Sequence, residues 1–357
     1  MKVSDIPAEL LAKFRQGMVI PAVPLALDAD RKFSLPHQRA MTRYYIDAGA
    51  GGIAIGVHST QFAIRDPKIA MFEEVLSKTN EFINQWCDKR GTSVLKVGGI
   101  CGKTEQALKE AEFERSLGFH AGLLSLAAMK DASVEEMLDH CRKVSEVMPL
   151  IGFYLQPSVG GRILPYEFWR EFMEIPNVLG IKMAPFNRYQ TFDVVRALAE
   201  SGREDITLYT GNDDNIVVDL LTTYKIATSR GEVALKIRGG LLGHWCCWTN
   251  KAVELLAKCR EISDSGKAIP PEMLTLAAQV TDSNAAFFDP AHSFAGCIPG
   301  IHEVLRRQGL MAGTWCLDPE EVLSPGQSEE ITRVWEAYPH LNDDEFIKSH
   351  LTEWFED

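Results

Sequence analysis

Short apolar runs alternate along the chain with longer stretches in which apolar residues recur at every third or fourth position. The runs are typical of buried parallel strands and the stretches of amphipathic helices, so the pattern predicts a series of βα units. Strands are predicted near residues 18–23, 51–56, 93–99, 120–127, 151–154, 178–182, 206–210 and 240–245. Eight βα pairs within about 250 residues match a TIM (β/α)8 barrel in number and in length.

The ends of the chain do not follow this period. Residues 1–16 are predicted to form an N-terminal arm, residues 17–264 the barrel, and residues 265–357 a region of helices interrupted by prolines. An insertion, Thr223–Lys236, lies between the seventh and eighth predicted strands. The sequence therefore predicts the α/β class, as a TIM (β/α)8 barrel with a C-terminal helical appendage. An open doubly wound sheet is the main alternative, but no G-x-G-x-x-G motif follows the first strand.

Composition narrows the class of partner and the cellular location. The formal net charge is −12, which disfavours nucleic acid and anionic membranes as partners and leaves a small molecule. No apolar run approaches the length of a membrane-spanning helix, and the N-terminus has no apolar signal core. The eight cysteines form no C-x-x-C pair and no zinc-site spacing, so we expect reduced cysteines, no metal and a cytoplasmic location.

Two polar side chains stand at the ends of successive apolar strands. Lys182 ends the sixth predicted strand and Tyr154 the fifth, where barrel enzymes carry their active sites. Burial among apolar residues favours the neutral amine of a lysine, which attacks a carbonyl carbon and forms an iminium. A tyrosine within reach can move the protons of that reaction. A rim lysine that snorkels to water and an ordinary core tyrosine are the structural alternatives.

Several motifs resemble those of the dihydrodipicolinate synthase / N-acetylneuraminate lyase family of class I aldolases, over roughly residues 17–325. Tyr154–Pro157 resembles the Y-x-x-P strand of that family, and Gly180–Lys182 resembles its G-I-K strand. Val97–Thr104 resembles the family turn after the third strand, and Gly211–Asp214 resembles the G-x-D-D turn after the seventh. The resemblance implies the barrel fold, a Schiff base on the lysine, a proton relay through the tyrosine, no cofactor, and a homotetramer.

The resemblance also implies a loop that holds the carboxylate of a 2-oxo acid. The family reads G-T-T-G-E there, and this chain reads Val57-His58-Ser59-Thr60-Gln61. Ser59 and Thr60 are the expected carboxylate ligands, His58 is a lesser candidate, and Gly211 is expected in the substrate-binding turn. The chain has no tyrosine after the fourth strand and has Val159 in place of the synthase arginine, so dihydrodipicolinate synthesis itself is not expected.

The sequence therefore predicts a Schiff-base-forming lyase that cleaves, condenses or dehydrates a 2-oxo acid or a related carbonyl compound. The changed loop at residues 57–61 motivates a second hypothesis, a non-catalytic ligand-binding or regulatory barrel of the same fold. A metal-dependent aldolase on the same barrel is the third. We expect a homo-oligomer, a tetramer or a dimer, with the insertion at residues 223–236 as an element that can alter its assembly.

Overall fold

The computed structural model describes residues 1–356. Its strands are β1 (Val19–Pro21), β2 (Gly52–Ile55), β3 (Leu95–Ile100), β4 (Ala121–Leu124), β5 (Leu150–Leu155), β6 (Val178–Ala184), β7 (Thr207–Thr210), β8 (Thr223–Thr228) and β9 (Gly231–Leu242). The sheet order is β1-β9-β7-β6-β5-β4-β3-β2, with β8 paired only to β9. Ala22, just after β1, forms a parallel bridge to Ala54 of β2, so the eight parallel strands form a nearly closed barrel. The predicted TIM barrel is confirmed.

Helices follow most of the strands, as the βα pattern predicts. They are α1 (Ala8–Gln16), α2 (Leu35–Asp47), α3 (Phe72–Arg90), α4 (Thr104–Ser116), α5 (Val134–Val147), α6 (Tyr166–Phe172), α7 (Arg188–Ser201), α8 (Ile216–Leu221), α9 (Thr249–Asp264), α10 (Glu272–Phe288), α11 (Cys297–Arg307), α12 (Gln327–Ala337) and α13 (Asp344–Phe355). The predicted capping box at the start of α5 is confirmed, because the Glu136 N–H donates to Ser133 Oγ at 3.2 Å and the Ser133 N–H to Glu136 Oε2 at 2.7 Å.

The chain divides into two compact units. The first contains residues 1–18, 95–241 and 258–271, and the second contains residues 19–94, 242–257 and the chain from residue 272 onward. In the first unit, β3 to β7 pair in parallel in chain order. The N-terminal arm belongs to this unit: the ring of Phe14 stacks on that of Tyr209 at 4.5 Å, and the Tyr209 hydroxyl donates to the Phe14 carbonyl at 2.8 Å.

The insertion between the seventh and eighth barrel strands is an antiparallel hairpin. Thr223 pairs with Lys236 and Thr228 with Gly231, so β8 and the first half of β9 leave the barrel together. The second half of β9 returns parallel to β7, where Thr210 pairs with Gly240. The eighth barrel strand was expected at residues 240–245, but β9 ends at Leu242 because the chain turns into a 3-10 helix at His244–Cys246.

The C-terminal helices of the second unit are held by buried polar contacts. The Tyr44 hydroxyl of α2 donates to Asp343 Oδ2 at 2.7 Å, just before α13. Trp354 of α13 packs on the Tyr44 ring at 5.4 Å, and its indole N–H donates to Asp47 at 2.8 Å. Within residues 1–356, no helix is both long and apolar enough to cross a membrane.

Candidate active site

Lys182 lies in β6, a strand in which every residue is buried, and is itself only 7% exposed. The strand register sets it beside Phe153 of β5 and Tyr209 of β7. Its ammonium lies 4.6 Å from the centre of the Phe153 ring, a distance at which the ring face attracts a cation. The sequence prediction of a buried lysine near the C-terminal end of an apolar strand is confirmed.

Gly211 provides space for the Lys182 side chain. A Cβ atom at Gly211 would lie 2.6 Å from Lys182 Cε and 2.8 Å from the Ala184 Cβ, both far shorter than normal contacts. The Gly211 N–H donates to the Met183 carbonyl at 2.7 Å and so is already paired within the sheet. The structure therefore gives Gly211 a steric role beside the lysine. Its expected role in binding substrate stays a prediction.

Tyr154 lies on the other face of the sheet. It pairs in register with Met183, and side chains alternate along a strand, so Phe153 and Lys182 share one face while Tyr154 points away. Its ring packs 5.4 Å from that of Trp169 in α6, and its hydroxyl accepts the Leu164 N–H at 3.2 Å. Burial raises the pKa of Tyr154 to about 12.

A shift in register explains this placement. Leu150 pairs with Val178, 28 positions further along the chain, but Ile151 pairs with Gly180, 29 positions further along. Tyr154 and Lys182 are 28 positions apart. Without the shift in register, Tyr154 would pair with Lys182. With the shift, Phe153 pairs with Lys182 instead. The structure does not bring the tyrosine to the face of the lysine, so its role as a proton relay gains no support and stays a prediction.

A buried carboxylate joins the loops that follow β6 and β7. Asp219 of α8 is 1% exposed and accepts hydrogen bonds from Thr210 Oγ1 at 2.7 Å, Asn212 Nδ2 at 2.9 Å, Asn215 Nδ2 at 2.9 Å and Arg188 at 2.7 Å. Four donors satisfy the acceptor capacity of one carboxylate. This network holds the chain directly beyond Lys182 and Gly211.

The loop after β2 uses its hydroxyl groups internally. Ser59 Oγ donates to the Ala22 carbonyl, and Thr60 Oγ1 donates to the Val23 carbonyl at 2.7 Å. Thr60 Oγ1 also accepts the N–H groups of Gly56 at 3.0 Å and Val57 at 3.2 Å. Each hydroxyl has one proton to donate, and both protons are already directed at backbone carbonyls. These residues brace the loop, and their expected binding of a carboxylate stays a prediction.

His58 and Gln61 complete this loop. His58 begins the 3-10 helix His58–Thr60 and is half-buried, with its ring 5.8 Å from that of Phe62. Gln61 is 4% exposed and has a left-handed backbone, with φ at +66°. Within the described residues, no group of three or more His, Cys, Asp or Glu side chains is arranged to hold a metal ion. The expectation that no metal or cofactor takes part stays a prediction.

The family model described as the dihydrodipicolinate synthetase family matches residues 15–225, more than half of the chain. The chain belongs to this family. The matched stretch contains the loop at residues 57–61 and the strands that carry Tyr154 and Lys182. The family resemblance predicted from the motifs is confirmed. Lys182 is therefore interpreted by comparison with the dihydrodipicolinate synthetase family.

Curated relatives of the family match at low identity. The 4-hydroxy-tetrahydrodipicolinate synthase of Desulforamulus reducens is 22% identical over 211 residues, which cover 58% of this chain and 66% of that protein. The enzyme of the same name from Thiobacillus denitrificans is 26% identical over 195 residues, 54% of this chain and 61% of that protein. The chain thus matches less than two thirds of the length of these relatives.

Solved structures of the family extend the match to the whole fold. The N-acetylneuraminate lyase of Fusobacterium nucleatum has a TM-score of 0.67 and 14% identity, covering 90% of this chain and 99% of that one. The dihydrodipicolinate synthase of Bacteroides thetaiotaomicron has a TM-score of 0.71 and 13% identity, covering 90% and 98%. At these identities the likeness shows the fold alone.

Sequence reasoning missed two features around Lys182 and one feature of the loop after β2. Phe153 was not singled out because only the register tells which of two neighbouring strand residues faces the lysine. Gln61 was noted only as a departure from the family loop. Asp219 did leave a signal, since an acid within the apolar helix Ile216–Leu221 indicates a buried carboxylate with several partners.

Proposed function

We propose that the chain is a Schiff-base-forming lyase acting on a 2-oxo acid or a related carbonyl compound, with Lys182 as the nucleophile. The observation that carries the proposal is the position of Lys182. It is buried at the family's G-I-K strand, beside an aromatic ring and a glycine that leaves it room. A lysine held at a fixed position in an apolar strand is suited to covalent catalysis on a carbonyl compound.

The chemistry follows from the neutral amine. The Lys182 nitrogen attacks the carbonyl carbon and its proton moves to the carbonyl oxygen, which becomes a hydroxyl group. That hydroxyl takes a second proton, from solvent, and leaves as water to give the iminium. The iminium withdraws electrons from the neighbouring bond, which breaks to leave an enamine, and a proton on that carbon restores the iminium. Water then releases the product and the free lysine. Aldol cleavage, condensation and dehydration all use this intermediate.

The Phe153 ring lies beside the Lys182 nitrogen, with its centre 4.6 Å away. The ring is also a flat apolar wall beside the nitrogen at which the substrate bonds. Phe153 therefore takes a position in which a tyrosine was expected, and it offers no hydroxyl for proton transfer.

The test is reductive trapping of the whole protein. The protein is incubated with pyruvate, other 2-oxo acids and simple aldehydes, reduced with borohydride, and its intact mass is measured. An adduct of one substrate less one oxygen per chain is the expected result with at least one compound. Folded protein that takes no adduct from any of them would overturn the proposal.

One observation favours a second candidate, a ligand-binding barrel without turnover. Both hydroxyl protons of the loop at residues 57–61 are bound to backbone carbonyls, so neither hydroxyl has a proton left to donate to a carboxylate. Calorimetry with the same compounds separates the two functions. Binding that borohydride cannot make covalent supports the second candidate.

We also propose that the chain forms a homo-oligomer in the cytoplasm. Exposed aromatic side chains on α7 support self-association, since Tyr189 is 86% and Phe192 45% exposed. Light scattering after gel filtration tests this proposal. A monomer at micromolar concentration would contradict it.

A further inference from the structure

Ser125 extends β4 by one residue, in the same compact unit as Lys182. Leu124 pairs with Ile100 of β3, and the Ser125 N–H donates to the Ile100 carbonyl at 2.9 Å, so the serine still belongs to the sheet. On the other side, Leu124 pairs with Gly152 of β5. The same register, continued by one residue, sets Ser125 beside Phe153.

The side chain of Ser125 faces the interior of the sheet, away from the helices. Gly152 faces the helices, because a Cβ atom there would lie 2.8 Å from the ring of Phe172 in α6. Side chains alternate along a strand, so Phe153 faces the opposite way, together with Lys182, its partner in register. Ser125, Phe153 and Lys182 therefore form one row across three neighbouring strands, the lysine row.

The Lys182 side chain reaches along this row toward β4. Its nitrogen lies 4.6 Å from the centre of the Phe153 ring, and so over β5, the strand between those of Lys182 and Ser125. Neighbouring strands lie about 4.8 Å apart. This spacing is roughly the length of the N–C–O unit of a carbinolamine plus one O–H···O hydrogen bond. A substrate carbon bonded to the Lys182 nitrogen thus places its oxygen within reach of Ser125 Oγ.

The Ser125 hydroxyl has a proton to give. Its oxygen accepts the Ala127 N–H at 3.3 Å, and among residues 1–356 no acceptor takes its own proton. The side chain is nevertheless only 4% exposed. Ser145 of α5, 6% exposed, shows the ordinary arrangement, since its hydroxyl donates to the Arg142 carbonyl at 2.6 Å. Ser125 is therefore a buried hydroxyl whose donor is left open in the lysine row.

The other hydroxyl groups near Lys182 are placed differently. Tyr209 pairs with Lys182 from β7, but its hydroxyl donates to the Phe14 carbonyl at 2.8 Å and accepts the Met18 N–H at 3.2 Å. Tyr154 lies on the opposite face of β5. Ser125 combines the face of the lysine with an open proton.

We propose that Ser125 is a catalytic residue whose hydroxyl carries the proton from the Lys182 nitrogen to the carbonyl oxygen of the substrate. The proposal rests on the proposed function, in which Lys182 forms an imine. As the nitrogen bonds to the carbonyl carbon, Ser125 gives its proton to the carbonyl oxygen and takes the proton that leaves the nitrogen. The serine ends unchanged, and the carbinolamine hydroxyl later leaves as water with a second proton from solvent.

The test measures how fast the imine forms. Each protein is mixed with pyruvate, or the best carbonyl compound of the panel, and samples are reduced with borohydride at timed intervals for mass analysis. In Ser125→Ala the rate constant at saturating substrate should fall at least about tenfold, while the half-maximal concentration changes less than about threefold. Ser125→Thr keeps a hydroxyl and should stay within about threefold of the wild-type rate. Ser145→Ala is the matched control and should react at the wild-type rate.

The outcomes separate this proposal from the proposed function. Wild-type protein that forms the adduct, with Ser125→Ala equally fast, would overturn the role of Ser125 and leave Lys182 as the nucleophile. An equal loss in Ser145→Ala would also overturn it, because any buried serine would then have the same effect. Wild-type protein that takes no adduct from any compound would overturn the proposed function and the role of Ser125 with it. Melting temperatures show that each variant is folded.

Discussion

Strands β5 and β6 are neighbours, and each carries a motif of the dihydrodipicolinate synthetase family, but the structure treats the two motifs differently. Lys182 of β6 lies where the motif implies, buried, with Gly211 leaving room for it. Tyr154 of β5 has the family's spacing to the lysine but faces α6. A sequence motif therefore identifies a residue and its position along a strand. The register of the strand decides which face of the sheet the side chain lies on, and a shift of one residue moves the side chain to the opposite face.

The largest effect is expected at Lys182. Lys182→Ala removes the amine that forms the imine, so reductive trapping should fall at least about a thousandfold. Lys96 of β3 is a matched control, because it is also a strand lysine and is 9% exposed. Lys96→Ala should trap at the wild-type rate. Trapping retained in Lys182→Ala and lost in Lys96→Ala would reverse the assignment.

The next effect is expected at Gly211. In Gly211→Ala the new methyl group would lie 2.6 Å from Lys182 Cε, so the lysine must move. We expect trapping to slow by about tenfold to a hundredfold, because displacement of a reacting group by about 1 Å has effects of this size. Overpacking should also lower the free energy of unfolding by about 1–3 kcal/mol. A variant with the wild-type trapping rate would show that Gly211 does not shape the lysine site.

A smaller effect, on stability, is expected at Asp219. Asp219→Asn removes the charge and part of the acceptor capacity that four donors share. The free energy of unfolding should fall by about 2–4 kcal/mol, measured by urea denaturation at neutral pH. Asp264→Asn is the exposed control, and because surface ion pairs contribute little it should change stability by less than about 1 kcal/mol. Equal changes in the stability of both variants would contradict the stabilising role proposed for the hydrogen bonds of Asp219.

The smallest effect is expected at Tyr154, and a large effect there would contradict the difference drawn between β5 and β6. Tyr154→Phe should slow trapping less than about threefold and lower stability by about 1 kcal/mol, through the lost acceptor for the Leu164 N–H. A loss of a hundredfold would restore the tyrosine as proton relay.

The pH dependence offers a second check on Tyr154. Its pKa of about 12 in the folded chain lies above the ordinary value of 10.0, so the folded state holds this proton more tightly. The stability that it contributes is present below pH 10 and is lost as the pH rises from 10 through 12. Between pH 6 and pH 9, the pH dependence of the trapping rate should therefore be the same in the wild-type protein and in Tyr154→Phe.

Much of the architecture was predictable because it repeats. The alternation of strands and helices predicted the barrel, and the capping box predicted the start of α5. The helical pattern interrupted by prolines after residue 264 predicted the C-terminal helices. The hairpin β8–β9 was recognised only as an insertion, since an antiparallel pair outside the barrel leaves no mark on the βα count. The end of β9 was misplaced because the apolar residues Trp245 and Cys246 follow the strand but belong to the 3-10 helix His244–Cys246.

The candidate site was predictable in its residue types and less so in its geometry. The G-I-K strand predicted a buried Lys182. The hydroxyls of Ser59 and Thr60 suggested carboxylate ligands, but only coordinates show that their protons reach the carbonyls of Ala22 and Val23. Gln61 depends on Leu317, a contact between positions 256 residues apart that no local pattern encodes.

The most direct test of the central claim is the location of the trapped adduct. The wild-type protein is reduced with borohydride in the presence of pyruvate or the best carbonyl compound of the panel, digested, and mapped by peptide mass spectrometry. The account predicts a single modified peptide with the adduct on Lys182 and none on Lys96. An adduct on another lysine, with Lys182 unmodified, would contradict it.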